Sequence, residues 1–169
     1  MMIDKKGLII KIDHKVLLKI INLKDISNKY INWMNDYEVV KFTQQRHFVH
    51  NENTVSKFVK EKFNSKNDLL FGIFYENGHV GNIKLGPINW KKKNCEISFI
   101  LGDKKLWRKG ISYNVVSKLI EFAIKELNII EFNANYYLDN IGSGKIFKKC
   151  GFSIIETNKN IVSVRYKGN

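Results

Sequence analysis

Residues 7–22, GLIIKIDHKVLLKIIN, carry two short β-rich runs either side of Asp13-His14, which predicts a hairpin at the start of the chain. In KDISNKYINWMNDYEVVKF the period lengthens: Ile26, Tyr30, Trp33 and Met34 fall at helical spacing. NENTVSKFVKEKFNS places Val55, Phe58, Val59 and Phe63 on one face of a second helix. LLFGIFYENGHVGNIKLGPINW then predicts two strands around Glu76-Asn77-Gly78, whose Asn-Gly pair suits a two-residue hairpin loop. In CEISFIL (95–101), Cys95, Ile97 and Phe99 share one strand face, and Glu96, Ser98 and Ile100 the other, which is polar enough to line a cleft.

From about Lys109 to Leu127, Ile111, Val115, Leu119 and Phe122 run in register with Val116, Ile120 and Ala123. So broad an apolar face requires a sheet beneath it. IIEFNANYY reads as a further strand, NIGSGKIFKKC as a short helix and GFSIIETNKNIVSVRYK as a closing hairpin. The order ββααβββαβαββ is an α+β plan, mostly antiparallel, with one strand-helix-strand unit.

Composition adds few constraints to this plan. A chain of 169 residues supports one well-buried core, and no linker, repeat or low-complexity tract divides it, so a single domain over 1–169 is expected. No run approaches the roughly 20 apolar residues of a membrane span, and the first residues lack a signal-peptide stretch. A cytoplasmic location without a membrane partner is therefore expected. Cys95 and Cys150 lack the paired spacing of a zinc or redox motif and read as buried thiols. His47, His50 and His79 have no supporting carboxylate or Cys pattern, so no metal is expected; His79, just after a turn glycine, reads as a surface residue.

Charge is the more informative feature. Lys and Arg number 29 against 16 Asp and Glu, a formal +13, which raises nucleic acid as a partner. Yet the lysines are spread among many Asn and Ile residues, a bias that AT-rich coding also produces, and nucleic acid is not the favoured reading. One cluster has a local structural reason. Lys104, Lys105, Arg108 and Lys109 crowd the start of the long helix, where four unpaired N–H groups already carry partial positive charge. An anion belongs there.

The succession of strand, WRKGIS loop, long helix, strand and NIGSGKIFKKCGF resembles the GNAT family of acyl-CoA-dependent N-acetyltransferases. That family has a pyrophosphate loop of the form Q/R-x-x-G-x-G/A at this place, and Trp107, Arg108, Lys109, Gly110, Ile111 and Ser112 occupy its six positions. Trp107 and Ser112 depart from the pattern at its two ends; a tryptophan there is similar to the RimJ/RimL-like branch, which often reads W-G-K-G-Y-A. Asn140-x-x-Ser143, followed by Phe147 and Gly151-Phe152, resembles the family's N-x-x-S/A helix ending in G-F.

The resemblance implies the GNAT fold, a mostly antiparallel central sheet flanked by helices, and acetyl transfer from acetyl-CoA to a primary amine by direct attack in a ternary complex. The expected anion is then the coenzyme A pyrophosphate. Main-chain groups of Phe99, Ile100 and Leu101 would face the pantetheine arm and thioester where the central strand splays from its neighbour. An ammonium ion has no lone pair, so a route for its proton is needed. Glu96 is the candidate base, through water, or else an ordinary surface carboxylate paired with a lysine. The tyrosine that many members use to protonate the thiolate is here Phe147, which cannot donate; Ser143 is the alternative donor, or a helix-capping residue. Asn140 would bond the pantetheine or start its helix.

The family's acceptor site is built from the first helices and neighbouring strands, which singles out Trp33, Asn35, Phe42, Arg46 and His47. WMNDYEVVKFTQQR resembles the opening of bacterial nucleotide-amino-sugar acetyltransferases of the pseudaminic-acid pathway type. An Arg and aromatic side chains would suit a nucleotide diphosphate and its base, while Trp33 and Phe42 are alternatively core. The competing acceptor is a protein N-terminus, as in RimJ/RimL-like enzymes; a non-catalytic acetyl-CoA-binding module and a basic RNA-binding domain are the other classes. The expected assembly is a monomer or homodimer.

Overall fold

A computed structural model gives the positions of residues 4–168, so residues 1–3 and 169 of the expected domain lie outside the described residues. The Asp13 carboxylate accepts the N–H groups of Lys15 and Val16 at 2.7 and 2.8 Å, folding β1 (Ile9–Lys11) back on β2 (Val16–Ile20). Between β3 (Leu69–Tyr75) and β4 (Gly78–Asn89) the loop is Glu76-Asn77, both at positive φ (47° and 67°), the twist that matches two antiparallel strands. Gly78 opens β4, so the loop sits one residue earlier than the Asn-Gly pair suggested.

β5 (Asn94–Leu101), β6 (Glu131–Tyr137), β7 (Ser153–Asn158) and β8 (Ile161–Lys167) complete one eight-stranded sheet of order β1-β2-β3-β4-β5-β6-β8-β7. Its one parallel pair is β5 with β6, joined by the long helix. The α+β GNAT arrangement of sheet and helices is therefore present.

The helical stretch expected over 24–42 is cut at Asn35-Asp36 into α1 (Asn28–Met34) and α2 (Tyr37–Val40). Ser27 accepts the Tyr30 N–H and Asp36 that of Glu38, and each short polar side chain starts a new helix by satisfying its free donors. A short 3-10 turn at Gln44–His47 leads into α3 (Glu52–Asn64), so three α-helices, not two, precede β3. α4 (Ile111–Leu127) starts two residues later than its apolar pattern suggested, because Arg108 and Gly110 both hold positive φ. α5 (Ile141–Lys149) precedes the closing hairpin.

Strand alternation divides the apolar residues between two cores. Leu18, Phe71, Ile83 and Ile97 face Val115, Leu119 and Ala123 of α4, while Leu70, the neighbour of Phe71, points the other way and joins Tyr30, Trp33, Val55 and Val59. His79 belongs to this second side. Contrary to the expectation of a surface residue, its imidazole stacks on Phe74 (centroids 5.1 Å) and meets the Tyr30 and Trp33 rings edge-on at 5.2 and 5.6 Å. Gly72, across the hairpin, leaves it room: a Cβ there would lie 3.2 Å from His79 Nε2.

Candidate active site

β5 and β6 pair only over Asn94↔Glu131, Cys95↔Phe132 and Glu96↔Asn133, whereas β5 stays paired with β4 as far as Gly81↔Leu101. Beyond Glu96 the two strands part, and the edge of residues 97–101 that faces β6 has no strand partner. Of these residues Phe99 and Ile100 keep that edge, while the Leu101 carbonyl accepts the Trp107 indole N–H at 2.7 Å. Trp107 thereby ties the basic loop to the end of β5.

α4 opens on Gly110 (φ 78°) with no side-chain cap, and its first intrahelical bond is Asn114 N–H to the Gly110 carbonyl, 3.1 Å. The N–H groups of Ile111, Ser112 and Tyr113 precede any intrahelical acceptor. A Cβ on Gly110 would meet nothing within 4 Å, so this glycine is required by its backbone angle rather than by space. Lys105, Arg108 and Lys109 have no carboxylate within 4.0 Å among the described residues. Lys104 differs from the sequence reading: its ammonium pairs with Asp36 at 2.6 Å, toward α2, and is lost to the cluster.

Glu96 is exposed at the apex of the gap, with no Lys or Arg within 4.0 Å among the described residues, so the lysine-paired reading does not hold. On α5, Asn140 Oδ1 accepts the Ser143 N–H at 3.2 Å, which makes Asn140 the cap; the half-buried Ser143 hydroxyl has no partner among the described residues. Phe147 is buried among Phe99, Tyr136 and Phe152, with centroids 5.7, 6.1 and 5.0 Å away. Burial pushes the Cys95 thiol up to about 12 and that of Cys150 to about 11, so neither is a thiolate at neutral pH. Among the described residues no three His, Cys, Asp or Glu side chains are grouped to hold a metal ion.

On the second-core side of the sheet a cleft of about 570 Å³ opens between α1, residues 43–50, α3 and the strands. Asn82, Lys84, Ser98 and Ile100 form its floor, and Phe48 and Phe58 stand in its walls. None of the five residues expected to hold the acceptor lines it. Trp33 is 5% exposed and stacked on Tyr30 at 4.6 Å, a core residue. Asn35 exchanges two 2.8 Å hydrogen bonds with the His50 backbone, and Phe42 lies beneath the Lys41 ammonium. Arg46 donates to the Lys41 carbonyl at 2.6 Å, and exposed His47 sits 3.1 Å from the Arg46 Nε. The cleft takes other residues of the same segment: a 3-10 turn repeats every three positions, which carries Gln45 and Phe48 to the cleft and turns Arg46 and His47 away.

Tyr137, which the sequence reading did not single out, links β6 to the turn at residues 44–47. Its hydroxyl accepts Gln44 Nε2–H at 2.6 Å and an Arg46 N–H at 3.4 Å, and the Arg46 guanidinium lies 4.7 Å from its ring centre. Residues 44–46 are thus latched to β6. Tyr137→Phe should raise KM for the amine about 3- to 10-fold while kcat changes less than about twofold, the size of one or two lost hydrogen bonds. Steady-state kinetics at saturating acetyl-CoA would measure it; an unchanged KM would mean the latch does not shape the site.

The profile of the acetyltransferase (GNAT) domain family matches residues 15–153. Acetyltransferase PseH of Campylobacter jejuni subsp. jejuni serotype O:23/36 (strain 81-176) is 20% identical over 155 residues, covering 89% of this chain and 94% of that protein. The microcin C7 self immunity acetyltransferase MccE, solved with acetyl-CoA and AMP, superposes with a TM-score of 0.81 at 20% identity over 94% of this chain and 95% of its own. The ribosomal L7/L12 α-N-protein acetyltransferase RimL with coenzyme A gives 0.85 at 14% identity, over 95% and 98%. With the split strands, the uncapped helix start and the family match in place, the chain belongs to the GNAT acetyltransferase family and is an acetyl-CoA-dependent N-acetyltransferase.

Proposed function

We propose that this enzyme acetylates the amine of a nucleotide-linked amino sugar. The observation that carries the reading is the cleft: its lining includes no Asp or Glu but does include Lys84, whose ammonium lies 3.9 Å from an Asp68 oxygen, and Phe48 stands 63% exposed in its wall. An aromatic base and a diphosphate suit such a surface. A polyamine, or the ammonium of a peptide N-terminus, calls for acidic partners that this lining lacks. The likeness to PseH and the AMP in the MccE structure support the same reading.

Within it, the N–H groups at the start of α4 with Arg108 and Lys109 receive the pyrophosphate, since a helix N-terminus and free cations together favour phosphate oxygens. Acetyl-CoA supplies the acyl carbon as an activated thioester. The exposed main chain of Phe99 and Ile100 orients the thioester, with its oxygen near backbone donors. Glu96 takes the ammonium proton through water, and the free Ser143 hydroxyl is the donor for the departing sulfur. Arg108→Ala with Lys109→Ala should weaken acetyl-CoA binding about 10-fold and flatten its salt dependence; calorimetry at two ionic strengths measures both, and an unchanged Kd would remove the loop from the site.

The deciding experiment follows CoA release from acetyl-CoA with UDP- and dTDP-linked amino sugars, N-terminal peptides and polyamines. Turnover with an amino sugar is expected. Turnover with peptides alone would replace the reading by N-terminal acetylation, and acetyl-CoA binding without any turnover by a non-catalytic module.

A further inference from the structure

Asp68 and Asn82 are the buried polar residues among those described. Asp68 is met by the Ser65 hydroxyl at 2.8 Å, by Lys62 at 3.6 Å and by Lys84 of the cleft floor at 3.9 Å. Asn82, 6% exposed, instead reaches the floor of the acceptor cleft, opposite Ile100 on the strand that lines the gap. A polar group so placed needs its partners.

One partner comes from beneath. His79 Nε2 lies 2.9 Å from the Gly81 carbonyl and 2.8 Å from Asn82 Oδ1. A carbonyl can only accept, so Nε2 carries the proton and donates; the amide must then turn its oxygen to the imidazole, since an N–H facing an N–H would repel. The buried Nδ1 has no partner among the described residues, and burial holds this histidine below its ordinary range, so the donating neutral ring persists at neutral pH. The NH2 group of Asn82 is left for the cleft side. The Tyr30 hydroxyl beside it, pushed up to about 12 by burial and hence a neutral phenol, can take one of the two hydrogens. One N–H donor remains.

We propose that Asn82, oriented by His79, is a specificity residue that donates this hydrogen bond to an oxygen on the carbon adjacent to the amine-bearing one, so that the preferred acceptor is a vicinal amino alcohol. The place follows from the register: Asn82 pairs with Ile100, beside the main chain that faces the gap, so an amine directed at that edge brings its neighbouring carbon over the amide. His79 is a positioning residue, and its sugar form makes the inference a refinement of the amino-sugar reading.

The test compares kcat/KM for dTDP-4-amino-4,6-dideoxyglucose with that for dTDP-4-amino-3,4,6-trideoxyglucose, and for a peptide beginning with Ser with one beginning with Ala. The hydroxylated member of the pair that turns over should be preferred about 10-fold or more, because the analogue leaves a buried donor unpaired. Asn82→Ala should bring that ratio near one. His79→Leu should lower it, and His79→Gln, which can still donate, should restore part of it; acetyl-CoA affinity reports that each variant is folded. A ratio near one in the unaltered enzyme, or one that survives Asn82→Ala, overturns the inference. Turnover of the peptides alone would sink the amino-sugar reading while the Ser/Ala ratio still judges Asn82, and silence with all four compounds would overturn both.

Discussion

Glu96→Gln should lower kcat for amine acetylation by about 10²- to 10³-fold while acetyl-CoA affinity stays within about twofold, the loss expected when a positioned base is removed without disturbing the binding of the other substrate. The side chain stands where β5 and β6 part, no cation within 4.0 Å competes for it among the described residues, and the glutamine is nearly isosteric. Its charge is felt at the apex, where it adds to the effect of burial in raising the neighbouring Cys95 thiol. The deficit should narrow at high pH, where the acceptor amine loses its proton to solvent and needs no base. A pH profile of kcat/KM checks this, and equal turnover by both forms at every pH would remove Glu96 from the mechanism.

Gly102→Ala should destabilise the fold strongly for a single added methyl group. A Cβ at this position, just past β5, would overlap the Trp33 ring. Neither side can yield cheaply: Trp33 is stacked on Tyr30 at 4.6 Å and abuts His79, and the Gly102 N–H is bonded to the Val80 carbonyl at 2.8 Å. Overpacking of this kind costs about 2–4 kcal/mol, which for a chain of 169 residues lowers Tm by about 5–15 °C. Trp33→Leu in the same chain should recover part of the loss, since the two residues share one contact. Denaturation of the single and double variants measures the coupling; strictly additive costs would show that the overlap is relieved elsewhere. Because Tyr30 and Met34 of α1 wall the cleft proposed for the acceptor, the surviving Gly102→Ala enzyme should also show a raised KM for the amine.

Several elements could be read directly from residue order. The continuous apolar run of β3, the alternation of β5, the wide apolar face of α4 and the Asn140-x-x-Ser143 start of α5 depend on neighbours close in the chain, and each has the expected type. The basic loop was legible for the same reason: cations beside a glycine at a helix start are a local pattern. The breaks were harder to read. Asp36 ends one helix and begins another because its carboxylate outcompetes the helical backbone for a single N–H, a contest of about 1 kcal/mol that apolar spacing does not record.

The acceptor side was decided by contacts between residues far apart in sequence. Whether Phe48 or His47 faces the cleft depends on a 3-10 turn latched to Tyr137, some 90 positions later, and Lys104 leaves the anion loop because Asp36 happens to lie beneath it. His79 reads as a surface residue beside a turn glycine until Gly72 on the opposite strand is seen to make room for it. Sequence by itself determined the family, the acetyl donor and the strand and helix that flank the basic loop, because those rest on local pattern. Only the tertiary structure decided which side chains line the cleft, because burial, ion pairing and the contact of His79 with Asn82 arise where distant strands and loops close on one another.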